Sequence, residues 1–165
     1  MKVNLRSFKQ KVRHNRKQLK TFLTKIGKQN PKGWDTNAEK VSAQVWKEVD
    51  CLSCANCCKT MTPTFTNTDI KRIASHLNTT AAAFKKEWLT YDKKDKDWLN
   101  KVTPCQFLNL KTNKCNIYEV RPADCAGFPH FGKKKVIDYL HVHQQNVELC
   151  PATYKMVEKM QAILN

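Results

Sequence analysis

A chain of 165 residues with 41% hydrophobic content is long enough for one folded domain with an appendage and too apolar for wholesale disorder. It contains no apolar run near the roughly 20 residues of a membrane-spanning helix, and its basic start lacks the apolar stretch and small-residue cleavage site of a secretory signal. The net charge of +16 is lopsided: residues 1–33 hold eleven Lys or Arg and no acid, so most of the excess belongs to one segment.

In that segment Leu5, Phe8, Val12, Leu19, Phe22, Leu23 and Ile26 recur at helical spacing among lysines and arginines. The pattern predicts a basic amphipathic helix, closed by Gly27 and then by Pro31 and Gly33. A second helix is expected over 38–49, with Asp35 and Thr36 as capping candidates and Val41, Val45, Trp46 and Val49 on its apolar side. It leads into the cysteines. Thr66-Asn-Thr-Asp69 has the form of a helix start, followed by buried Ile70, Ile73, Ala74 and Leu77. Asn78-Thr79 stops that helix and caps the next, over 80–89, which buries Phe84, Trp88 and Leu89. The charged stretch 91–97 is expected to be a loop. Short apolar pieces from Trp98 to Tyr118, broken by a turn at 109–114, predict a small hairpin. A further short strand is expected over 136–142. The last helix, 151–164, carries Pro151 in its first turn, where a missing N–H costs nothing. No internal repeat appears. The expected fold is α+β and mostly helical: a basic helical extension over residues 1–33, then a small irregular cysteine-cluster metal-binding domain over 34–165, stapled by metal and carrying a short β-hairpin.

Without a secretory signal the expected location is cytoplasmic, where eight cysteines serve more readily as metal ligands or catalytic thiols than as a disulfide framework. Cys51-x2-Cys54-x2-Cys57 offers two overlapping chelating hooks, and Cys58 adds a fourth sulfur. Such a loop needs a residue at positive φ. It contains no Gly, so Asn56 is the expected one. Adjacent side chains usually diverge, so Cys57 and Cys58 are expected to serve different tasks. Cys105, Cys115, Cys125 and Cys150 reach this cluster only through folding, which makes all eight candidate ligands of zinc or iron, an Fe–S cluster included. Spacing alone does not choose between two four-thiolate zinc sites and one cluster with bystanders.

The ordered set Cys51-x2-Cys54-x2-Cys57-Cys58, Pro104-Cys105-Gln-Phe107-Leu108 and Cys115-Asn-Ile117-Tyr118-Glu119-Val-Arg121-Pro122-Ala-Asp-Cys125-Ala-Gly-Phe128-Pro129 resembles the bacterial CxxCxxCC cysteine-cluster proteins, the YkgJ-like family of zinc- or iron-chelating domains. The resemblance covers about residues 50–150. It implies a metal-chelating domain of open biochemical role. Through a related branch of flagellin lysine N-methylases, it also implies methyl transfer by analogy alone. Two positions depart from the pattern: Ala55 stands where the family often has Gly, and Ala126 where Arg is common.

Arg121 and Lys59 are candidates to offset the negative charge of clustered thiolates. His130, His141 and His143 are secondary ligand candidates, whereas His14 and His76 read as surface helical residues. No Ser-His-Asp order, phosphate-cradling Gly-rich loop or paired-carboxylate pattern is visible, which leaves enzymatic activity open. Three functions follow: a metal-chelating protein, a metal- or Fe–S-dependent group-transfer enzyme such as a protein lysine methylase, and a zinc-stabilised module that binds nucleic acid, the ribosome or another anionic partner through residues 1–33.

Overall fold

The computed structural model describes residues 3–132 and 135–164. The chain forms two compact units, one of residues 1–54 with 129–165 and one of residues 55–128. Helix dominates the first unit, and among the described residues the strands all fall in the second, so the chain as a whole is α+β and mostly helical. Among the described residues, no helix is long and apolar enough to cross a membrane.

The first unit opens with α1 (Leu5–Gln29), started by the Asn4 side chain, which accepts from Ser7 N at 3.0 Å. The helix ends at Asn30, whose left-handed φ of 42° lets its N–H reach Ile26 O. Its expected stripe is buried from Phe8 to Ile26 against α8 (Leu140–Asn146) and α9 (Pro151–Leu164). Phe8 meets Tyr154 edge-on at 5.8 Å, and Asn15 Nδ2 donates to the Tyr154 hydroxyl at 2.7 Å. The second helix, α2 (Trp34–Glu48), starts before the expected Ala38. Gly33, at φ 77°, turns the chain sharply enough to place Trp34 in the core, and the buried indole extends the helix backwards. Trp46, expected inside, is instead 38% exposed.

The strand expected over 136–142 is also corrected. Val136–Tyr139 forms a 3-10 turn that runs into α8. Val136, Leu140 and His143 recur at intervals of four and three and are all buried, so helical periodicity prevails over β-propensity. The start of this segment is held by Asp35, whose carboxylate accepts from Val136 N at 2.9 Å.

The second unit packs α5 (Asn67–His76) and α6 (Ala81–Trp88) on an antiparallel sheet of order β1-β3-β2, formed by Thr64–Phe65, Asp97–Asn100 and Leu89–Asp92. Its core is Phe65, Ile70, Ile73, Ala74, Phe84, Leu89, Phe107 and Ile117. Stretch 91–97, expected as a loop, forms the end of β2, a tight turn with Lys96 at φ 58°, and the start of β3. The ladder pairs Tyr91 with Trp98, whose rings lie 5.0 Å apart, and this aromatic cross-strand contact outweighs the charged turn. Leu77, expected inside, is 37% exposed. The later hairpin is where it was expected: β4 (Leu108–Asn109) pairs with β5 (Lys114–Cys115) around a turn.

Asp69 ties this unit together. Thr66 and Asp69 form a capping box at the start of α5. The buried Asp69 carboxylate accepts from Thr66 N at 3.0 Å, Thr66 Oγ1 at 2.6 Å, Arg72 at 2.6 Å and Ala123 N at 3.1 Å. Ala123 opens α7 (Ala123–Gly127), the helix that carries Cys125. Burial alone would raise the Asp69 pKa, but the hydrogen bonds from Thr66, Arg72 and Ala123 outweigh it and hold the carboxyl below its ordinary value. A lowered folded-state pKa contributes stability that is complete above the ordinary carboxylate range and is lost as pH falls through the lowered value. Asp69→Asn should therefore cost about 2 kcal/mol at neutral pH. Its denaturant midpoint should also lose the part of the acid dependence that the parent owes to this carboxylate, as urea titrations from pH 7 to pH 3 would show.

Candidate metal centre

All eight cysteines are thiols. The two units hold them in separate groups. In the second unit, α4 (Asn56–Thr60) carries Cys57 and Cys58. The helix follows Ala55, which takes the left-handed turn at φ 48°. Asn56, expected there, is instead the first residue of α4 and buried. Ala55 is thus the position of this loop that needs positive φ, and an alanine bears the strain there.

From α4 the Cys58 carbonyl accepts from Cys105 N at 2.8 Å, which draws the Pro104-Cys105 segment beside the vicinal pair. Cys115 ends β5, and Cys125 lies within α7. Cys105 and Cys115 also pack against the apolar core. These four elements bring Cys58, Cys105, Cys115 and Cys125 within electrostatic reach of one another. A charge on Cys58 acts on the other three, Cys105 acts on Cys115 and Cys125, and Cys115 acts on Cys125. Burial is the main cause that raises the pKa of Cys105, Cys115 and Cys125, and neighbouring thiolates add to it. Cys58 moves the other way, to about 7, chiefly because Cys57 hydrogen-bonds to it and with help from the charge of Lys59.

Cys57 and Cys58 do not diverge. Their sulfurs lie 3.9 Å apart. A tetrahedral site with metal–sulfur bonds near 2.3 Å has sulfur–sulfur edges of about 3.8 Å, so neighbours in sequence can approach as closely as co-ligands do. Arg121 stacks over the Tyr118 ring at 3.8 Å and donates to Tyr118 O at 2.6 Å. Held there, its charge favours the Cys115 thiolate, the role expected of it.

The first unit holds Cys51 and Cys54 on the single turn α3 (Cys51–Cys54), and Cys150 at the start of α9. Cys51 is exposed, whereas Cys54 and Cys150 are buried. Thr153 N approaches Cys150 Sγ at 3.5 Å, and burial, together with the charge of Cys51, raises the Cys150 thiol. His143 is also in this unit, wholly buried against Phe131, and burial lowers its pKa to about 4, so it is neutral. His130 stacks on Tyr139 at 5.7 Å.

Among the described residues no group of three or more Cys, His, Asp or Glu side chains stands where it could hold a metal ion. The donor set of the second unit nonetheless fits zinc or iron in kind: soft sulfurs, gathered from separate elements, with cationic side chains beside them.

The profile of a protein family described as "Putative zinc- or iron-chelating domain" (CxxCxxCC) matches residues 50–151. The "Uncharacterized protein MJ0661" of Methanocaldococcus jannaschii is 35% identical over 81 residues, which is 48% of this chain and 43% of that protein. The chain thus spans less than half the length of this curated relative. No solved structure matches.

The strain at Ala55 gives a local test. A β-branched residue at this φ is a genuine outlier, so Ala55→Val should destabilise the chain by about 2 kcal/mol or more, while Ala55→Gly is tolerated. Thermal unfolding of the two variants beside the parent reads the difference.

Proposed function

Because the chain belongs to the CxxCxxCC family of zinc- or iron-chelating domains, we propose that Cys58, Cys105, Cys115 and Cys125 bind one zinc or iron ion as four thiolates, and that this chelation is the working centre of residues 55–128. The observation that carries the reading is the packing that gathers these four thiols in one unit: Cys105 N donates to the Cys58 carbonyl at 2.8 Å, Cys105 and Cys115 pack on the same core, and Asp69 and Thr64 tie down the helix that carries Cys125. Thiols collected in this way repel one another as they ionise, and a divalent cation turns that repulsion into attraction. When bound, the ion supplies a fold-stabilising cross-link and, if it is iron, a redox centre.

The residues of the chain prepare the site. Cys58, with its lowered pKa, is the first of the four to ionise near neutral pH. Lys59 and Arg121 offset the net negative charge that four thiolates leave around a dication. Cys57, a neighbour of Cys58, acts as an adjoining thiol outside the four. Cys51, Cys54 and Cys150 form a second thiolate group in the other unit and account for the remaining sulfurs of the eight.

Anaerobic purification, metal analysis and a visible spectrum test this reading. Cys105→Ser, Cys115→Ser and Cys125→Ser should each lose the ion and lower the unfolding temperature together, because binding and folding are coupled in thiolate sites. Cys57→Ser should retain the ion. A colourless protein with one zinc per chain identifies structural chelation, one iron per chain without inorganic sulfide identifies an iron tetrathiolate, and a brown iron–sulfur cluster would overturn the single-ion assignment. Full metal content in all three depleted variants would exclude the assignment. A metal count above one per chain that falls in Cys54→Ser and Cys150→Ser would identify the second group.

A further inference from the structure

The cationic face of α1 has no role in metal binding, and it lies outside the stretch matched by the family. Residues 1–33 contain eleven Lys or Arg and no acid. Two of these cations are used within the unit: Arg16 and Lys20 both pair with Glu148. Arg6, Lys9, Lys11, Arg13, Lys17, Lys25 and Lys28 are exposed, and among the described residues they make no ion pair. At 3.6 residues per turn, Arg6, Arg13, Lys17 and Lys28 fall within an arc of roughly 60°, opposite the buried stripe, and at 1.5 Å per residue they span about 33 Å. No acidic side chain of the helix interrupts the row.

A surface-bound membrane helix needs a free apolar face to insert. Here that face is occupied: Phe8, Val12, Leu19, Phe22, Leu23 and Ile26 are each at most 8% exposed, packed within the unit. Only charge is left to present outward. A line of four cations about 33 Å long, with Gln10 and Thr24 between them, matches the length of one turn of a nucleic-acid duplex, which advances by about 34 Å.

We propose that the exposed row Arg6, Arg13, Lys17 and Lys28 of α1 is a docking surface for the phosphate backbone of a nucleic-acid duplex. Binding is electrostatic and independent of sequence, because the row presents charges and no side chain shaped to read base edges. It does not depend on the metal reading above.

The test uses the full chain as purified and fluorescently labelled 20-base-pair duplexes of one mixed sequence, as DNA and as RNA, with phosphatidylserine vesicles as a further arm. The variant Arg6→Gln/Arg13→Gln/Lys17→Gln/Lys28→Gln keeps good helix formers at all four positions. A charge-matched control, Lys71→Gln/Lys93→Gln/Lys94→Gln/Lys111→Gln, removes four exposed lysines of the other unit. The parent should bind both duplexes, with an affinity that falls steeply from 50 to 200 mM salt. In the α1 variant, affinity at 50 mM salt should drop by at least about tenfold, and the slope of log affinity against log salt should become shallower by about 3 to 4, one phosphate contact for each cation lost. The control should keep the parental slope, and circular dichroism should show both variants equally helical. The proposal is overturned if the parent binds neither duplex, if it binds only the vesicles, or if the control loses as much as the α1 variant.

Discussion

The buried carboxylate of Asp69 is the constraint on which the cysteine arrangement of residues 55–128 depends. One side chain closes the capping box of α5 and accepts the first N–H of α7. Arg72, which neutralises it, also donates to Arg121 O at 2.9 Å. The start of α5, the approach to α7 and the Arg121 backbone are therefore set by one hydrogen-bonded knot. A buried charge of this kind is tolerable only because its lone pairs are all answered, and that same completeness makes it rigid. Asp124, the residue before Cys125, adds a second tie by accepting from Thr64 N at 3.1 Å at the edge of the sheet. Cys125 is thus held by polar contacts of its neighbours, although its own short helix is too brief to be stable alone.

The thiols then obey opposing demands. Burial beside the apolar core keeps Cys105, Cys115 and Cys125 protonated, which protects them from oxidation, since the thiolate is the reactive form. A metal needs the thiolate. In the proposed site Cys58, stabilised as an anion by Cys57 and Lys59, would resolve this conflict by giving an entering cation one charged sulfur to meet first. Each later deprotonation is then driven by the cation already present. Metal uptake by such a set releases protons and strengthens as pH rises through the thiol range.

Much of the fold was legible because local chemistry and tertiary packing agree. The stripe of α1, the capping box at Thr66, the hairpin between Leu108 and Cys115 and the proline start of α9 all appear as their residues imply. The misreadings occur where a tertiary partner decides. Residues 136–142 look β-branched and aromatic, yet Asp35 and the buried side of α8 make them helical. The β2–β3 hairpin hides behind four charged turn residues because its signal is one aromatic pair across the ladder. Ala55 was missed in favour of Asn56, since intrinsic tolerance of positive φ favours asparagine. The start of α4 nonetheless requires Asn56 to be helical and passes the strain one residue back. Which thiols share surroundings was not legible at all, because spacing measures the chain between them and not the fold that gathers them.

The uneven charge of the chain has a physical logic of its own. Nine cations on the 25 residues of α1 repel one another and weaken the helix that carries them. Burial of the apolar stripe and the pairing of Arg16 and Lys20 with Glu148 offset part of that cost, but only along the flank that faces α8 and α9. On the opposite side the repulsion stands, and neutral or acidic residues there would have made a more stable helix. Lys at exposed helical positions costs nothing in propensity, so propensity does not argue against the row, but neither does it call for cations in place of glutamate or glutamine. A charge pattern that opposes folding on an otherwise well-packed element is what the proposed docking of a phosphate backbone would account for, since such binding would remove the repulsion that the isolated chain must bear.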